Sequence, residues 1–385
     1  MHRRQLLKAA ALASLGVAIS GPGLAFAAEP RVPLRRLLLI EMNGGNDALN
    51  TVIPYADPLY RQLRPQLGVE RDRVLRLTEQ LGLHPALEGL MPLFAGGELA
   101  IVQGLGYADA NRSHFRSIEI WDTATDSNQT GTEGWLSRLD VTQHFGRTFA
   151  AGAVVIGRNP KPVTGTRMQP VVMSDAGSFV SESQGLDSVA DSAGNSALRH
   201  IIQVERDILQ AGHALSANRP AAKADFPRTP FGRDAAEAAR LLIGDPVAPI
   251  VKIALTGFDT HANQQRRHEV LLQQLGATLV ALRQAFTAAG IWEDTLIVTY
   301  SEFGRRAQEN ASGGTDHGKA AAHFVLGGAV HGGLHGVAPQ LAHLDDGDVG
   351  LGVDFRCLYN AVLGRWWNAA AAQIEPQRFA ALDIV

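Results

Sequence analysis

The stretch 249-PIVKIALTGFDTHANQQRRHEVLLQQLGATLVALRQAFTAAGIWEDTLIVTYSEF-303 holds two short apolar runs separated by one long amphipathic run. In the middle run Leu271, Leu275, Leu279, Leu282 and Phe286 recur at steps of four, four, three and four, which places them on one helical face. The flanking runs, 249–258 and 294–303, are too short and too continuously apolar for amphipathic helices, and suit strands buried on both faces of a sheet. Strand, long helix and strand together predict a βαβ unit and therefore a parallel sheet. Working outward, RRLLLIEM (35–42), ELAIVQGLGY (98–107) and HFVLGGAV (323–330) read as further strands of the same kind. Residues 151–195, with AVVIG and QPVVMS, read as short strands and loops. Residues 196–244 read as helical segments broken by the Pro/Ala stretch 217–230. The expectation is one α/β domain over 30–385, with 151–245 as an insertion that caps the site.

Composition narrows the function classes. The chain has 385 residues, 45% of them hydrophobic, and a net charge of −3, so bulk charge points to no nucleic-acid partner. A single cysteine, Cys357, excludes an intramolecular disulfide and any zinc site built from several thiolates. The N-terminus pairs Arg3 and Arg4 ahead of a short apolar run and an Ala25-Phe26-Ala27 cleavage site. This pattern predicts a twin-arginine export signal over 1–27, the twin-arginine translocase as a transient partner, and a periplasmic or secreted destination. No stretch is long and apolar enough to predict a stable membrane span.

Open parallel sheets bind ligands beyond the carboxyl ends of their strands, and here each predicted strand is followed or preceded by a loop of ligand-type residues. After the first come Asn46 and Asp47 behind two glycines, with Glu41 and Asn43 as competitors for the same role. After the second come Arg112, Ser113 and His114. Ser113 fits a helix N-cap, and also a nucleophile whose developing anion faces helix N–H groups. Arg112 beside it is suited to hold an oxyanion. After the third come Asp259 and His261, two apart, which an extended segment presents on one side; Asp259 or Thr260 could cap the helix that follows, but a cap does not require His261. His268 lies about two turns further on, a supporting or surface residue rather than a ligand of the same ion. After the fourth come Glu302, a hard ligand or general base, and Arg305 and Arg306, which clamp an anion or merely close a salt-bridged turn. Asp316 and His317 lie between glycines before the fifth strand, with Lys319 adding charge. His84 and His323 are weaker candidates for the lining, and no phosphate-binding glycine loop of the P-loop type is present.

GGND, NRSHF, GFDTHANQ, SEFGRR and GTDHG, in this order after a twin-arginine signal, resemble the bacterial family of domain of unknown function 1501. That family is grouped with the alkaline phosphatase and sulfatase superfamily. The resemblance implies an alkaline phosphatase-like three-layer α/β sandwich, with a central mostly parallel sheet flanked by helices and metal ligands at the strand ends. Carried over by position, it implies Asp47 as a first-strand ligand and Ser113 as nucleophile. It implies Asp259 and His261 as one metal pair, and Asp316 and His317 as the final ligands. Two departures stand out. No sulfatase C/S-x-P-x-R motif occurs, and Phe303 stands where the superfamily carries a histidine after the acidic ligand now occupied by Glu302.

The sequence therefore predicts an exported metal-dependent hydrolase of phosphate or sulfate esters acting on a small or polymeric anionic ester. Asp47, Asp259, His261, Glu302, Asp316 and His317 would bind one or two divalent ions, and Ser113, Arg112 and Arg305 would act on the substrate. Mixed carboxylate and imidazole ligands suit Zn or Mn. The alternative is a non-catalytic exported protein that binds a metal or polyanion on the same fold.

Overall fold

The computed structural model describes residues 34–183 and 221–385, together with Ile202, Arg206, 208–214 and Ser216 between them. The export signal expected over 1–27 lies outside the described residues. Among those described, no helix is long and apolar enough to cross a membrane.

The strands are β1 (Arg36–Asn43), β2 (Val52–Ile53), β3 (Leu75–Arg76), β4 (Gly82–Leu83), β5 (Leu99–Gly106) and β6 (Ala153–Ile156). They continue with β7 (Pro170–Met173), β8 (Ile250–Thr256), β9 (Thr295–Tyr300), β10 (Ala321–Leu326), β11 (Gly333–Gly336) and β12 (Val353–Asp354). Nine of these form the central sheet in the order β11-β5-β10-β9-β1-β8-β6-β7, with β12 beside β5, while β2, β3 and β4 form a small separate sheet. The pairings of β1 with β8 and β9, of β6 with β7 and β8, and of β5 with β11 and β12 are parallel. Within this sheet, among the described residues, only β10 runs against its neighbours, β5 and β9.

Five helices carry the argument: α1 (Ala48–Thr51), α2 (His114–Thr123), α3 (Pro230–Leu242), α4 (Gln264–Ala288) and α5 (Phe355–Asn360). Alternate residues of β1 point to opposite faces, as the pleat requires. Leu38, Ile40 and Met42 pack with Leu272, Leu275, Leu279 and Leu282 of α4 and Phe231 and Ala238 of α3. Leu37 and Leu39 pack with Trp121 of α2 and Phe355, Leu358 and Tyr359 of α5. Helices thus cover both faces of a mostly parallel sheet, the three-layer arrangement expected from the long run 249–303. The helical stripe Leu271, Leu275, Leu279, Leu282 and Phe286 is buried throughout.

One expectation is corrected. Within the expected insertion 151–245, the described strands β6 and β7 do not stand apart as a cap but extend the central sheet beyond β8, and α3 packs on the sheet's face. The short apolar runs AVVI and PVVM read as strands from the sequence, yet their place is not legible there: β6 pairs with β8, and β7 pairs in turn with β6 at the edge of the sheet.

The antiparallel β10 matters for the site. Because it opposes β9, its first residue lies at the same edge where β9 ends. Residues 301–320 therefore leave that edge and return to it, so Glu302 and His317 are delivered to one place.

Candidate metal centre

The loops after β1, β5 and β8 and the segment joining β9 to β10 meet at this edge. Glycines make the first of them possible. Gly44 has φ of +115°, and a Cβ there would lie 2.3 Å from the backbone nitrogen of Asp259, so only glycine lets the β1 and β8 loops approach this closely. The Gly44 N–H donates to both oxygens of the buried Glu302 carboxylate, at 2.9 and 3.1 Å, which ties the β9 loop to the same point.

Three histidines converge here, and the partner of each Nδ1 assigns its tautomer. His317 Nδ1 lies 2.7 Å from the Arg112 carbonyl, which can only accept, so Nδ1 carries the proton. His114 Nδ1 lies 2.8 Å from Glu302 Oε1, a carboxylate that also accepts from Gly44 N–H and the Ser301 hydroxyl. His261 Nδ1 lies 3.2 Å from Asp316 Oδ1. With every Nδ1 donating outward, the three Nε2 lone pairs point inward at Asp259. His114 Nε2 is 3.4 Å from Asp259 Oδ2, while His261 Nε2 and His317 Nε2 are 3.0 and 3.3 Å from Asp259 Oδ1. The Nε2 atoms of His261 and His317 are 2.9 Å apart.

Lone pairs facing one another across such distances repel unless a positive charge lies between them. The spacing fits a metal ion. Ligand atoms about 2.0–2.1 Å from a tetrahedral zinc stand roughly 3.3 Å from each other, and the separations here are 2.9–3.4 Å. The coordinating atoms of His114, Asp259 and His317 all lie within 4.8 Å of one another. Glu302, Asp316 and the Arg112 carbonyl take the place of the outer partners that orient metal-bound imidazoles and make them better donors.

Electrostatics support the same grouping. Burial pushes the Asp259 carboxyl up, but the hydrogen bond and the charge of Arg305 outweigh it and bring it down to about 2, so it is an anion near neutral pH. The hydrogen bond to Glu302 raises the His114 pKa against its burial. Burial lowers that of His317, favouring the neutral imidazole a metal needs. The ring of Phe303 packs against both His114 and His317, with centroids 4.9 and 4.4 Å away. The phenyl group at this position is a wall that fixes two imidazoles.

Several residues proposed from the sequence are employed elsewhere. Asp47 is buried, caps α1 through Asn50 N–H, and is held by Arg64 and Gln264, which keeps its pKa low despite the larger opposing effect of burial. It belongs to a structural ion pair, not to the cluster around Asp259. Asn46 bonds Thr51 and His268, and burial drives the fully enclosed His268 down to about 3, so this imidazole is neutral and structural. Arg305, read above as an anion clamp, is wholly buried. It donates to Gly45 O and Thr315 O at 2.8 Å, to Phe258 O at 3.1 Å, to Gly44 O, and to Asp259 Oδ1 at 2.8 Å. It staples three loops and, wholly buried, presents no donor to a substrate. Arg112 is bound by Asp346 and Asp348, and Lys319 by Asp345 at 2.7 Å, so neither points a free charge at the centre. Ser113 is exposed at the N-cap of α2, and its hydroxyl makes no capping bond.

Reasoning from sequence ranked His114 below its neighbours and passed over a buried polar network. Lys252 Nζ donates to Glu41 Oε2 at 2.6 Å, and the same oxygen accepts from Asn159 and Tyr300 at 3.3 Å. Asn159 and Tyr300 also bond Asp122, whose carboxyl burial pushes up to about 8 with help from the Glu41 charge. The signal was present: Glu41 and Lys252 each interrupt an otherwise apolar strand run, and a charge in a strand buried on both faces requires a partner on the neighbouring strand.

Comparison with known proteins places this geometry in context. A family model described as "Protein of unknown function (DUF1501)" matches residues 102–376. No curated protein matches the sequence. Among solved structures, the chain is similar to the zinc complex of the C-terminal periplasmic domain of EcEptC from Escherichia coli. The identity is 7%, over 77% of this chain and 74% of that one, with a TM-score of 0.36. It is similar to the lipoteichoic acid synthase LtaP from Listeria monocytogenes at 9% identity, over 80% and 67% of the two chains, with a TM-score of 0.34. It is also similar to the phosphonate monoester hydrolase of Agrobacterium radiobacter at 10% identity, over 86% and 73%, with a TM-score of 0.36.

Proposed function

We propose that this chain, which belongs to the DUF1501 family, is an exported metal-dependent hydrolase of phosphate or sulfate esters. The observation that carries the reading is the inward convergence of three Nε2 lone pairs on the Asp259 carboxylate. His114, Asp259 and His317, whose coordinating atoms lie within 4.8 Å of one another, would hold one divalent ion, with His261 joining from its side of Asp259 and His317; the donors suit zinc or manganese. Such an ion supplies Lewis acidity toward an ester oxygen and lowers the pKa of a nearby hydroxyl or water.

The chain's own residues supply the rest. Glu302, Asp316 and the Arg112 carbonyl hold the three Nδ1 protons and fix the ring orientations. Phe303 excludes water from one flank of His114 and His317. The Ser113 hydroxyl, adjacent in sequence to His114 and exposed, is the nucleophile of this reading. It attacks the phosphorus or sulfur atom, and its own proton leaves with the departing ester alcohol; water then attacks the seryl ester, releasing phosphate or sulfate and restoring the hydroxyl. The N-terminal amides of α2 face the anion. Arginine side chains play no direct part, because Arg112 and Arg305 are already paired.

The test is metal analysis of the purified mature chain combined with assays on p-nitrophenyl phosphate, bis(p-nitrophenyl) phosphate and p-nitrophenyl sulfate. About one equivalent of ion and hydrolysis of at least one ester are expected, with both lost in His261→Ala. Hydrolysis that survives Ser113→Ala removes the serine from the reading and leaves water as the nucleophile. Absence of both metal and turnover overturns the proposal. Metal without turnover leaves the non-catalytic binding protein.

A further inference from the structure

A second feature of the same sheet edge is separate from the metal centre. The pairing of β1 with β8 runs to Asn43 and Thr256, the ends of both strands. The pairing of β6 with β8 stops at Val155 and Lys252. Beyond that point the last residues of β8 have no strand partner on the β6 side among the described residues, and the two strands part. Lys252 sits at this fork, donating to Glu41 and to the carbonyl of Arg158, so the base of the gap is fixed. Above it opens a cavity of about 590 Å³, walled by the ends of β1, β6 and β8, the first turns of α3 and the second and third turns of α4. Small-molecule sites occupy about 300–1,000 Å³, and crevices where parallel strands part are where open sheets bind ligands.

The walls say what would fit. Glu41, Asn43 and Asn159 form a polar floor whose members already bond one another. Across from it, Asp234 and Gln274 face the cavity, and among the described residues no hydrogen bond or ion pair reaches either side chain. Asp234 is half-buried, and burial raises its pKa against the opposing charge of Arg233. Phe231, Leu255 and Leu271 complete an apolar side. Between Glu41 and Asp234, both acidic, an anion is disfavoured, because the Lys252 ammonium at the floor is already bound to Glu41; Arg158 is the cationic residue of the lining. The set suits a ring that shows hydroxyl or amine donors on its rim and C–H groups on its face.

We propose that this cavity is a binding site for a sugar unit, with a preference for an amino sugar whose ammonium meets Asp234. Its floor residue Asn43 precedes Gly44, whose amide holds Glu302 at the metal centre. The sugar would therefore lie beside that centre on one strand end. The site does not depend on whether the centre turns over an ester.

Isothermal titration of the full mature chain with glucosamine, glucose and glucuronate provides the test. Glucosamine is expected to bind most tightly and glucuronate least. Asp234→Asn, nearly the same in shape and half-exposed, should remove about tenfold of the glucosamine affinity and leave glucose unchanged, since a charge-assisted bond becomes a neutral one. Ala254→Met, which fills the cavity from β8, should abolish binding of all three, with thermal unfolding used to confirm that both variants fold. His261→Ala should bind sugar like the parent protein. The proposal is overturned if none of the three sugars binds, if glucuronate binds best, if affinity is unchanged in both cavity variants, or if it is lost in His261→Ala.

Discussion

Arg305 offers the sharpest separation between two roles. Its guanidinium is fully buried and donates to four carbonyls and the Asp259 carboxylate, from loops at 44–45, 258–259 and 315. Arg305→Met keeps most of the apolar stem and removes every donor. Leaving one partner of a buried charged pair costs about 3–5 kcal/mol. The Asp259 side chain is 45% exposed and recovers part of its share from water. The carbonyls do not, and at about 1 kcal/mol each they alone approach the same range. A loss of roughly 4 kcal/mol is therefore expected in urea unfolding of the metal-free protein, with no substrate present. Arg305→Lys should recover little, because one ammonium with three donors cannot span five acceptors set for a planar fork. If Arg305→Met unfolds within about 1 kcal/mol of the parent while KM for an ester rises, the guanidinium is a substrate clamp and the staple argument is wrong.

Other outcomes follow from the same geometry. Glu302→Gln touches no proposed ligand atom of the ion yet should weaken metal binding about 10–100-fold, measured by competition with a chelator, because it loosens the His114 ring; unchanged affinity would remove its orienting role. Asp47→Ala should destabilise the fold by about 3–5 kcal/mol through the stranded Arg64 charge, with metal content unaltered; loss of metal in a folded variant would restore Asp47 as a ligand. The raised pKa of Asp122 has a defined sign. Below pH 4 the carboxyl is protonated in both states, and from there to about 8 only the unfolded chain releases its proton, so this group makes the fold less stable as pH rises. Asp122→Asn should therefore gain stability relative to the parent between pH 5 and pH 8, and a difference that does not change with pH would contradict the shift.

Much of the architecture was legible because it rests on local periodicity. The 249–303 run announced a strand, a helix and a strand, and the continuous apolar strands announced a sheet covered on both faces. The small strands β6 and β7 were not legible as sheet members, since their place depends on β8, far along the chain. At the site, strand ends identified the right loops but not the right atoms. Asp47 and Asp259 look alike in sequence, each a carboxylate behind a glycine-bearing turn. What separates them is Arg64 at the end of a short helix and Arg305 beneath the loops, and neither pairing leaves a mark at the acidic residue itself. His114 was undervalued because its neighbour Ser113 fitted a familiar role, while the glutamate that orients it lies 188 residues away.

The reversed direction of β10 has a practical meaning. Residues 301–320 leave and rejoin the sheet at one edge, contributing Glu302, Phe303, Arg305, Asp316 and His317 without crossing either helical layer. In effect the stretch is a cassette: it could be exchanged for its counterpart from another family member, altering half of the centre while the sandwich below keeps its strand order. The same economy ties its parts together. A change that frees either anchor, at Ser301 or at Ala320, should release the whole excursion as a unit, and the imidazole of His317 would leave with the carboxylate that steadies His114.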